Sequence, residues 1–144
     1  MIRKYVLNLL KIKLAICKLP PNSPIPDWVI SKELFAIIRS PQELTLICDD
    51  HFVPAGITKE SGWRAFYLDA NLDFNLVGVS ASIINQLAEC GVSVFTLSTF
   101  STDYILIRHE KLEKILFSLN DEVRLSKGIK VGFNFNGVRQ NNPY

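Results

Sequence analysis

The sequence predicts an α+β fold made of two similar β-α-β-β-α halves, each with an antiparallel sheet. Three observations support this fold class: paired segments with strand-like composition, amphipathic segments with helical spacing, and similarity between the two halves. The chain has 144 residues, of which 48% are hydrophobic. That length suffices for one compact unit, or for two half-sized units sharing a core, but not for two independent domains.

Segment length and the content of β-branched and aromatic residues predict six strands. Four of them form two pairs separated by short polar intervals, which indicates two β-hairpins. The predicted hairpins join residues 34–39 to 44–48 and residues 92–98 to 103–108, and the other two strands are residues 13–19 and 63–69.

Apolar residues at intervals of three and four predict two helices with one buried face each. The first covers the segment between Asn75 and Gly91, where the glycine supplies the C-terminal stop. The second has its apolar face at Leu112, Ile115, Leu116 and Leu119. A shorter helix is predicted at residues 26–31.

The two halves show an internal repeat at an offset of 94 − 34 = 60 positions, where residues 34–53 align without gaps on residues 94–113. This alignment matches Phe35 with Phe95, Leu46 with Leu106 and Glu43 with Asp103. With a closing strand, each half becomes a ferredoxin-like β-α-β-β-α-β unit, and a further strand is predicted at residues 129–135. The predicted organisation is a first repeat at 1–61, a second at 62–135 and a disordered tail at 136–144.

Composition excludes several classes of partner. A net charge of +2, from 16 basic and 14 acidic residues, lacks the basic footprint of a nucleic-acid binder. Lys11 and Lys13 interrupt the apolar opening segment before it reaches membrane-spanning length, which predicts no membrane association and a cytoplasmic location. Three widely spaced cysteines in apolar segments predict reduced, buried thiols without a disulfide or metal site: Cys17, Cys48 and Cys90.

Three segments carry a resemblance to a known family: FAIIRSPQELTLIC at 35–48, GWRAFYLDANLDFNLVG at 62–78 and VSVFTLSTFSTDYILI at 92–107. In these segments the chain resembles the bacterial tandem ACT-domain family, which is also related to the CASTOR arginine sensors. The resemblance covers residues 13–120. It implies tandem ACT domains and a non-catalytic, regulatory module that binds a free amino acid, forms a homodimer and needs no cofactor.

The start of the first long helix is the expected site for the carboxylate of such a ligand. Unpaired amides and the partial positive charge of a helix start suit a carboxylate, and a glycine lets the ligand approach the backbone. The alternative is an ordinary N-cap, with the glycine needed only for helix packing. The residues assigned to ligand binding here are Asp73, Phe74, Val77 and Gly78.

The turn at residues 98–104 is the expected site for the ligand's cationic group. The carboxylate of Asp103 and the carbonyls of Thr99 and Phe100 can accept hydrogen bonds from an ammonium or a guanidinium. Alternatively, Asp103 caps the turn, and Phe100 is an exposed aromatic or a dimer contact rather than a pocket wall. The residues assigned here are Ser98, Thr99, Phe100 and Asp103.

The sequence offers little support for catalysis. His51 and His109 each follow a predicted strand, where capping and solvation explain them, and neither has a nucleophile paired with it. Ser80 and Ser82 lie inside a predicted helix, where bonding to the local backbone accounts for them. No phosphate-binding loop or dinucleotide fingerprint is present.

Two other functions are compatible with the same fold. An RNA-binding sheet would stack bases on strand aromatics, for which Phe66, Phe95 and Tyr104 are the candidates. A small acylphosphatase-like hydrolase would need an arginine beside an anion-binding loop. Arg39 and Arg64 are the candidates for that role, although neither adjoins a glycine-rich loop.

Overall fold

The computed structural model describes residues 4–68, 76–118, 123–125 and 129–134. Its strands and helices in chain order are β1 (Lys4–Leu9), β2 (Leu14–Leu19), β3 (Ala36–Arg39), β4 (Leu44–Asp49), β5 (Thr58–Leu68), α1 (Leu76–Glu89), β6 (Val94–Ser98), β7 (Asp103–Arg108), α2 (Leu112–Ser118), β8 (Val123–Leu125) and β9 (Ile129–Asn134). Single 3₁₀ turns occupy Asp27–Val29, Asp50–Phe52 and His109–Lys111. None of the described helices is long and apolar enough to cross a membrane.

The chain divides into two compact units. Ile12–Arg64 forms one, and Met1–Lys11 together with Ala65–Tyr144 forms the other. The division falls inside strand β5, which contributes its first part to one unit and its last part to the other. The repeats expected at 1–61 and 62–135 stay a prediction from the sequence.

In the Ile12–Arg64 unit, all of which is described, the sheet order is β3-β4-β2-β5 with antiparallel neighbours. Gly62, with φ of +77°, lies in a β-bulge where β5 carries one residue more than β2, and glycine adopts this backbone conformation without steric cost. The core contains Ala15, Cys17, Val29, Leu44, Leu46 and Cys48.

The first hairpin prediction is confirmed in this unit, but the short helix expected at residues 26–31 is reduced to one 3₁₀ turn. Four prolines from Pro20 to Pro26 restrict the preceding backbone and remove amide donors, so the turn cannot extend toward the N-terminus beyond Pro26. Val29 is fully buried and holds the turn against the core.

In the second unit, β7 pairs with β6 and β5, and β1 pairs with β5 and β9. The second predicted hairpin and the first predicted long helix are confirmed as β6–β7 and α1. Gly91, with φ of +74°, ends α1, and the amide of Val92 closes the end by donating to the carbonyl of Leu87 at 2.9 Å. The core contains Leu9, Phe66, Ile83, Leu87, Val92, Ile105, Ile107, Leu112 and Ile115.

Strand β1 was not predicted, and it is the strand that pairs with the last strand of the chain. Residues 129–135 do contain a strand, β9, but β9 pairs with β1, and β1 is the strand that pairs with β5. Strand β5 also begins at Thr58 rather than at residue 63. Its first residues, Lys59, Glu60 and Ser61, are polar and exposed, so they lack the apolar pattern by which a strand is found in a sequence.

The two hairpins correspond to each other at an offset of 59 positions and not 60. Arg39 pairs with Leu44, and Ser98 pairs with Asp103, so that 98 − 39 = 59 and 103 − 44 = 59. The first residue of each turn, Ser40 or Thr99, donates its amide to the carbonyl of the last, Glu43 or Thr102, at 2.9 and 2.8 Å. Glu43 is therefore equivalent to Thr102, and the match of Glu43 with Asp103 is wrong.

A one-residue difference in the offset matters, because shifting a strand by one residue turns every side chain to the other face of the sheet. Leu46 and Cys48 face the core of their unit, and the residues 59 positions later, Ile105 and Ile107, face the core of theirs. Leu106 points to the opposite side from Ile105 and Ile107. The matches of Leu46 with Leu106 and of Phe35 with Phe95 are therefore wrong.

Candidate functional site

The turn between β6 and β7 is held closed by Thr99. The amide of Thr99 donates to the carbonyl of Thr102 at 2.8 Å, and its hydroxyl donates to the same carbonyl at 3.0 Å. The amide of Thr102 donates back to the Thr99 hydroxyl at 3.2 Å. Because Thr99 caps this turn, the alternative that Asp103 serves only as its cap is wrong.

The carboxylate of Asp103 instead contacts helix α1. The hydroxyl of Ser80 donates to Oδ2 of Asp103 at 2.7 Å, and Ser80 is only 6% exposed. The expectation that Ser80 bonds only to its local backbone is therefore wrong. A polar side chain on the buried face of a helix needs a partner, and β7 supplies one.

Sequence reasoning missed this contact, although a signal for it was present. Ser80 precedes Ile83 by three positions and Leu87 by seven, which places it on the apolar face of α1. A polar residue at such a position indicates a buried polar partner, but the pattern does not say which residue that partner is.

The predicted carboxylate site is described only in part. Asp73 and Phe74 lie outside the described residues, whereas Val77 and Gly78 belong to the first turn of α1, which begins at Leu76. Backbone amides in the first turn of a helix have no partner within the helix. The contact of Ser80 with Asp103 brings the N-terminal half of α1 and the end of the turn together.

Phe100 lies at the tip of the turn, and its side chain is fully exposed, at 107% of the reference area. Ser98 and Thr99 are also exposed. Phe100 therefore does not wall a pocket against the described part of this chain. Its position fits the alternative of an exposed turn aromatic, and a role in a contact with a partner stays a prediction.

Of the three strand aromatics considered for stacking RNA bases, Phe66 does not share the face on which Phe95 and Tyr104 lie. Phe66 is 1% exposed and belongs to the core, so its ring is not available to a base. Tyr104 points to the other face of the sheet, where its ring lies 5.5 Å from that of Tyr67 at an angle of 39°. Because successive strand residues point to opposite faces, Phe66 and Tyr104 cannot stack on the same strand of RNA.

A second polar cluster lies in the Ile12–Arg64 unit, around the carboxylate of Asp50. This carboxylate accepts hydrogen bonds from Lys59 Nζ at 3.0 Å, Ser61 Oγ at 3.0 Å and the amide of Gly62 at 3.3 Å. Partial burial raises the pKa of Asp50, but the hydrogen bonds from Lys59 and Ser61 outweigh burial and hold it below its ordinary value. The cluster borders an open cleft of about 510 Å³.

The side chains of this unit that were considered for catalysis have structural roles. Asp49 accepts a hydrogen bond from the amide of His51 at 3.0 Å, which confirms capping at this position, and the His51 ring packs edge-on against Phe52 at 5.1 Å. Arg39, a candidate for a hydrolase, donates instead to the carbonyls of Pro21 and Ser23 and holds the proline-rich loop. Within the described ranges, no group of three or more His, Cys, Asp or Glu side chains could hold a metal ion.

All three cysteines are free thiols, as predicted, but they differ in exposure. Cys17 and Cys48 are buried on neighbouring strands, whereas Cys90 at the end of α1 is half-buried. A hydrogen bond between the two buried thiols lowers the pKa of Cys17, and the same bond, together with burial, raises the pKa of Cys48. The expectation of burial is correct for Cys17 and Cys48 and wrong for Cys90.

We expect a thiol reagent at neutral pH to label Cys90 first and the two buried cysteines only slowly. Access limits the reaction at Cys17 and Cys48, because each is 1% exposed. Release of the chromophore from a disulfide reagent measures the rate, and mass spectrometry of digested protein identifies the labelled residue. In the Cys90→Ser control the rapid phase should disappear. Rapid labelling of three equivalents in the native protein would contradict this prediction.

Comparison with known proteins links the chain to one domain family. A family model described as an ACT domain matches residues 58–121, and a model of an N-terminal domain matches residues 13–56. A solved structure of an Agrobacterium tumefaciens protein is similar, with a TM-score of 0.71 and 30% identity, covering 75% of this chain and 81% of that one. A Vibrio cholerae protein, described as of unknown function and a possible transport protein, shares the fold with a TM-score of 0.60 at 24% identity, covering 76% of this chain and 84% of that one.

Among curated proteins, the chain is similar to the "cytosolic arginine sensor for mTORC1 subunit 1". The mouse protein is 26% identical over 109 residues, which are 67% of this chain and 32% of that protein. The human protein is 27% identical over 101 residues, which are 62% of this chain and 31% of that protein. The match thus spans about a third of the length of these relatives.

Proposed function

We propose that the chain, whose residues 58–121 match an ACT domain and which is similar to cytosolic arginine sensors, binds a free amino acid as a regulatory module and performs no chemistry on it. One observation in the structure of the chain supports the proposal. The carboxylate of Asp103 is held by Ser80 at 2.7 Å between an ordered turn and helix α1. A fixed carboxylate of this kind is suited to a ligand's cationic group.

In this proposal the ligand's two charged groups bind at two places. Its carboxylate accepts hydrogen bonds from the free amides in the first turn of α1, near Val77 and Gly78, with Asp73 and Phe74 beside it. Its ammonium donates to Asp103 and to the carbonyls of Thr99 and Phe100. Opposite charges at the two ends would orient the amino acid, and its side chain would set the affinity.

We extend the proposal to a cytoplasmic homodimer. Strand β3 in one unit and strand β6 in the other each pair on one side only within the described residues, so their other sides offer backbone groups to a partner. Phe100, fully exposed beside the end of β6, would be covered in such a dimer. A second copy of the chain is a simple partner for these exposed edges.

The test is the thermal stability of the purified protein with each of the twenty common amino acids at millimolar concentration. A ligand that binds only the folded state, at 100 times its Kd, adds about 2.7 kcal/mol to the free energy of unfolding. We expect at least one L-amino acid to raise the Tm, and its D-enantiomer is the matched control. If no amino acid raises the Tm, the protein is not a sensor of this kind.

A further inference from the structure

The hydrogen bond between Ser80 and Asp103 makes the two oxygens of the carboxylate unequal. Oδ2 accepts from the Ser80 hydroxyl at 2.7 Å, the usual distance for a hydrogen bond from a hydroxyl to an oxygen. Oδ1 has no hydrogen-bond or ion-pair partner within the ranges that the structure describes. The donor comes from a buried serine on a helix, so the carboxylate cannot rotate without breaking this bond.

This arrangement matters because cationic groups differ in how many carboxylate oxygens they use. An ammonium is a compact donor that binds well to a single oxygen, whereas a guanidinium binds best as a fork, with two N–H groups on the two oxygens. With Oδ2 already engaged by Ser80, Asp103 presents one oxygen fully and the other only in part. The carboxylate therefore suits an ammonium better than a guanidinium.

We infer that Ser80 is a specificity-determining residue, which makes Asp103 a single-oxygen acceptor and so favours a ligand that presents an ammonium there over one that presents a guanidinium. The inference rests on the proposed function. It concerns which ligand the site selects. It does not assume that this chain binds arginine, the amino acid in the names of the curated relatives. Ser80 acts through Asp103 and is a positioning residue.

The test compares matched ligands that differ only in the cationic group. Isothermal titration calorimetry with L-ornithine and L-arginine, which share a three-methylene stem, varies the group at the end of the side chain, and glycine with guanidinoacetate varies it at the α position. Whichever group meets Asp103, the wild type should bind the ammonium member of that pair more tightly. Ser80→Ala should shift the affinity ratio toward the guanidinium member by about tenfold, the change expected from one additional hydrogen bond to a charged group.

Two further variants separate positioning from a general loss of packing. Ser80→Thr keeps the hydroxyl and should keep the wild-type ratio. If Ser80→Ala does not fold, Ser80→Cys replaces the hydroxyl with a weaker donor and should move the ratio in the same direction by less. An equal loss of affinity for both members of a pair would indicate a merely structural role and would overturn the inference.

The two proposals fail in different ways. If ligands bind but the ratios in Ser80→Ala and in the wild type are equal for both pairs, the inference about Ser80 is wrong and the sensor function stands. If neither these ligands nor any of the twenty amino acids binds the wild-type protein, the proposed function itself is wrong, and the inference falls with it.

Discussion

Replacing Phe66 with alanine is expected to lower the free energy of unfolding by about 3–5 kcal/mol, the usual cost of removing a buried aromatic ring from a core. Phe66 is 1% exposed and packs in the core of the second unit with residues of α1 and β7. The surrounding side chains relax only partly into the space, so the cost includes a cavity as well as lost burial. Urea denaturation followed by circular dichroism measures the change.

Phe52→Ala is the matched control, because it removes the same ring from a side chain that is 55% exposed. Surface substitutions of this kind usually change stability by less than about 0.5 kcal/mol. Since a domain of this size is stable by about 5–15 kcal/mol, the two variants should be clearly separated. Equal effects of the two substitutions would show that Phe66 is not in the core described here.

Asp103→Ala is expected to remove most of the ligand-induced rise in Tm. Losing a hydrogen bond to a charged group costs about 1.5–3 kcal/mol of binding free energy, which corresponds to a roughly tenfold to hundredfold weaker affinity. The substitution also leaves the buried hydroxyl of Ser80 without its acceptor, so the unliganded protein should be less stable. The comparison is therefore between Tm values with and without ligand for each variant, and calorimetry gives the affinity.

Asp49→Ala is the matched control for this experiment. It also removes a carboxylate that accepts one hydrogen bond, from the amide of His51 at 3.0 Å, but in the Ile12–Arg64 unit. We expect it to lower the stability by about 1 kcal/mol as a lost cap, and to leave the ligand response intact. A ligand response that survives in Asp103→Ala would refute the assigned site.

The hairpins and the long helix could be predicted from the sequence because their determinants are local. Each hairpin has two strand-forming segments joined by a short polar interval, and α1 has apolar residues at helical spacing followed by Gly91. A strand pair closed by a four-residue turn needs no distant partner to define its register. The family resemblance was found in these same segments.

The offset of the repeat could not be settled by pattern alone. Strands β4 and β7 are apolar on both faces, at Leu46 and Ile47 in one case and at Ile105 and Leu106 in the other. Because apolar residues occupy consecutive positions in each strand, a one-residue shift keeps much of the hydrophobic match, although it reverses the faces. Only the pairing of Ser98 with Asp103 and of Arg39 with Leu44 shows which residues are equivalent.

By itself, the sequence determined the α+β class, the two hairpins, α1 and the turn that contains Asp103, because each depends on residues close together in the chain. The tertiary structure alone decided that β1 pairs with β5 and that Ser80 holds Asp103. Both contacts join residues far apart in the sequence, 23 positions in the case of Ser80 and Asp103. Such contacts form only when the chain packs. For Ser80, burial removes the hydroxyl from water, so its hydrogen-bond acceptor must come from a neighbouring element.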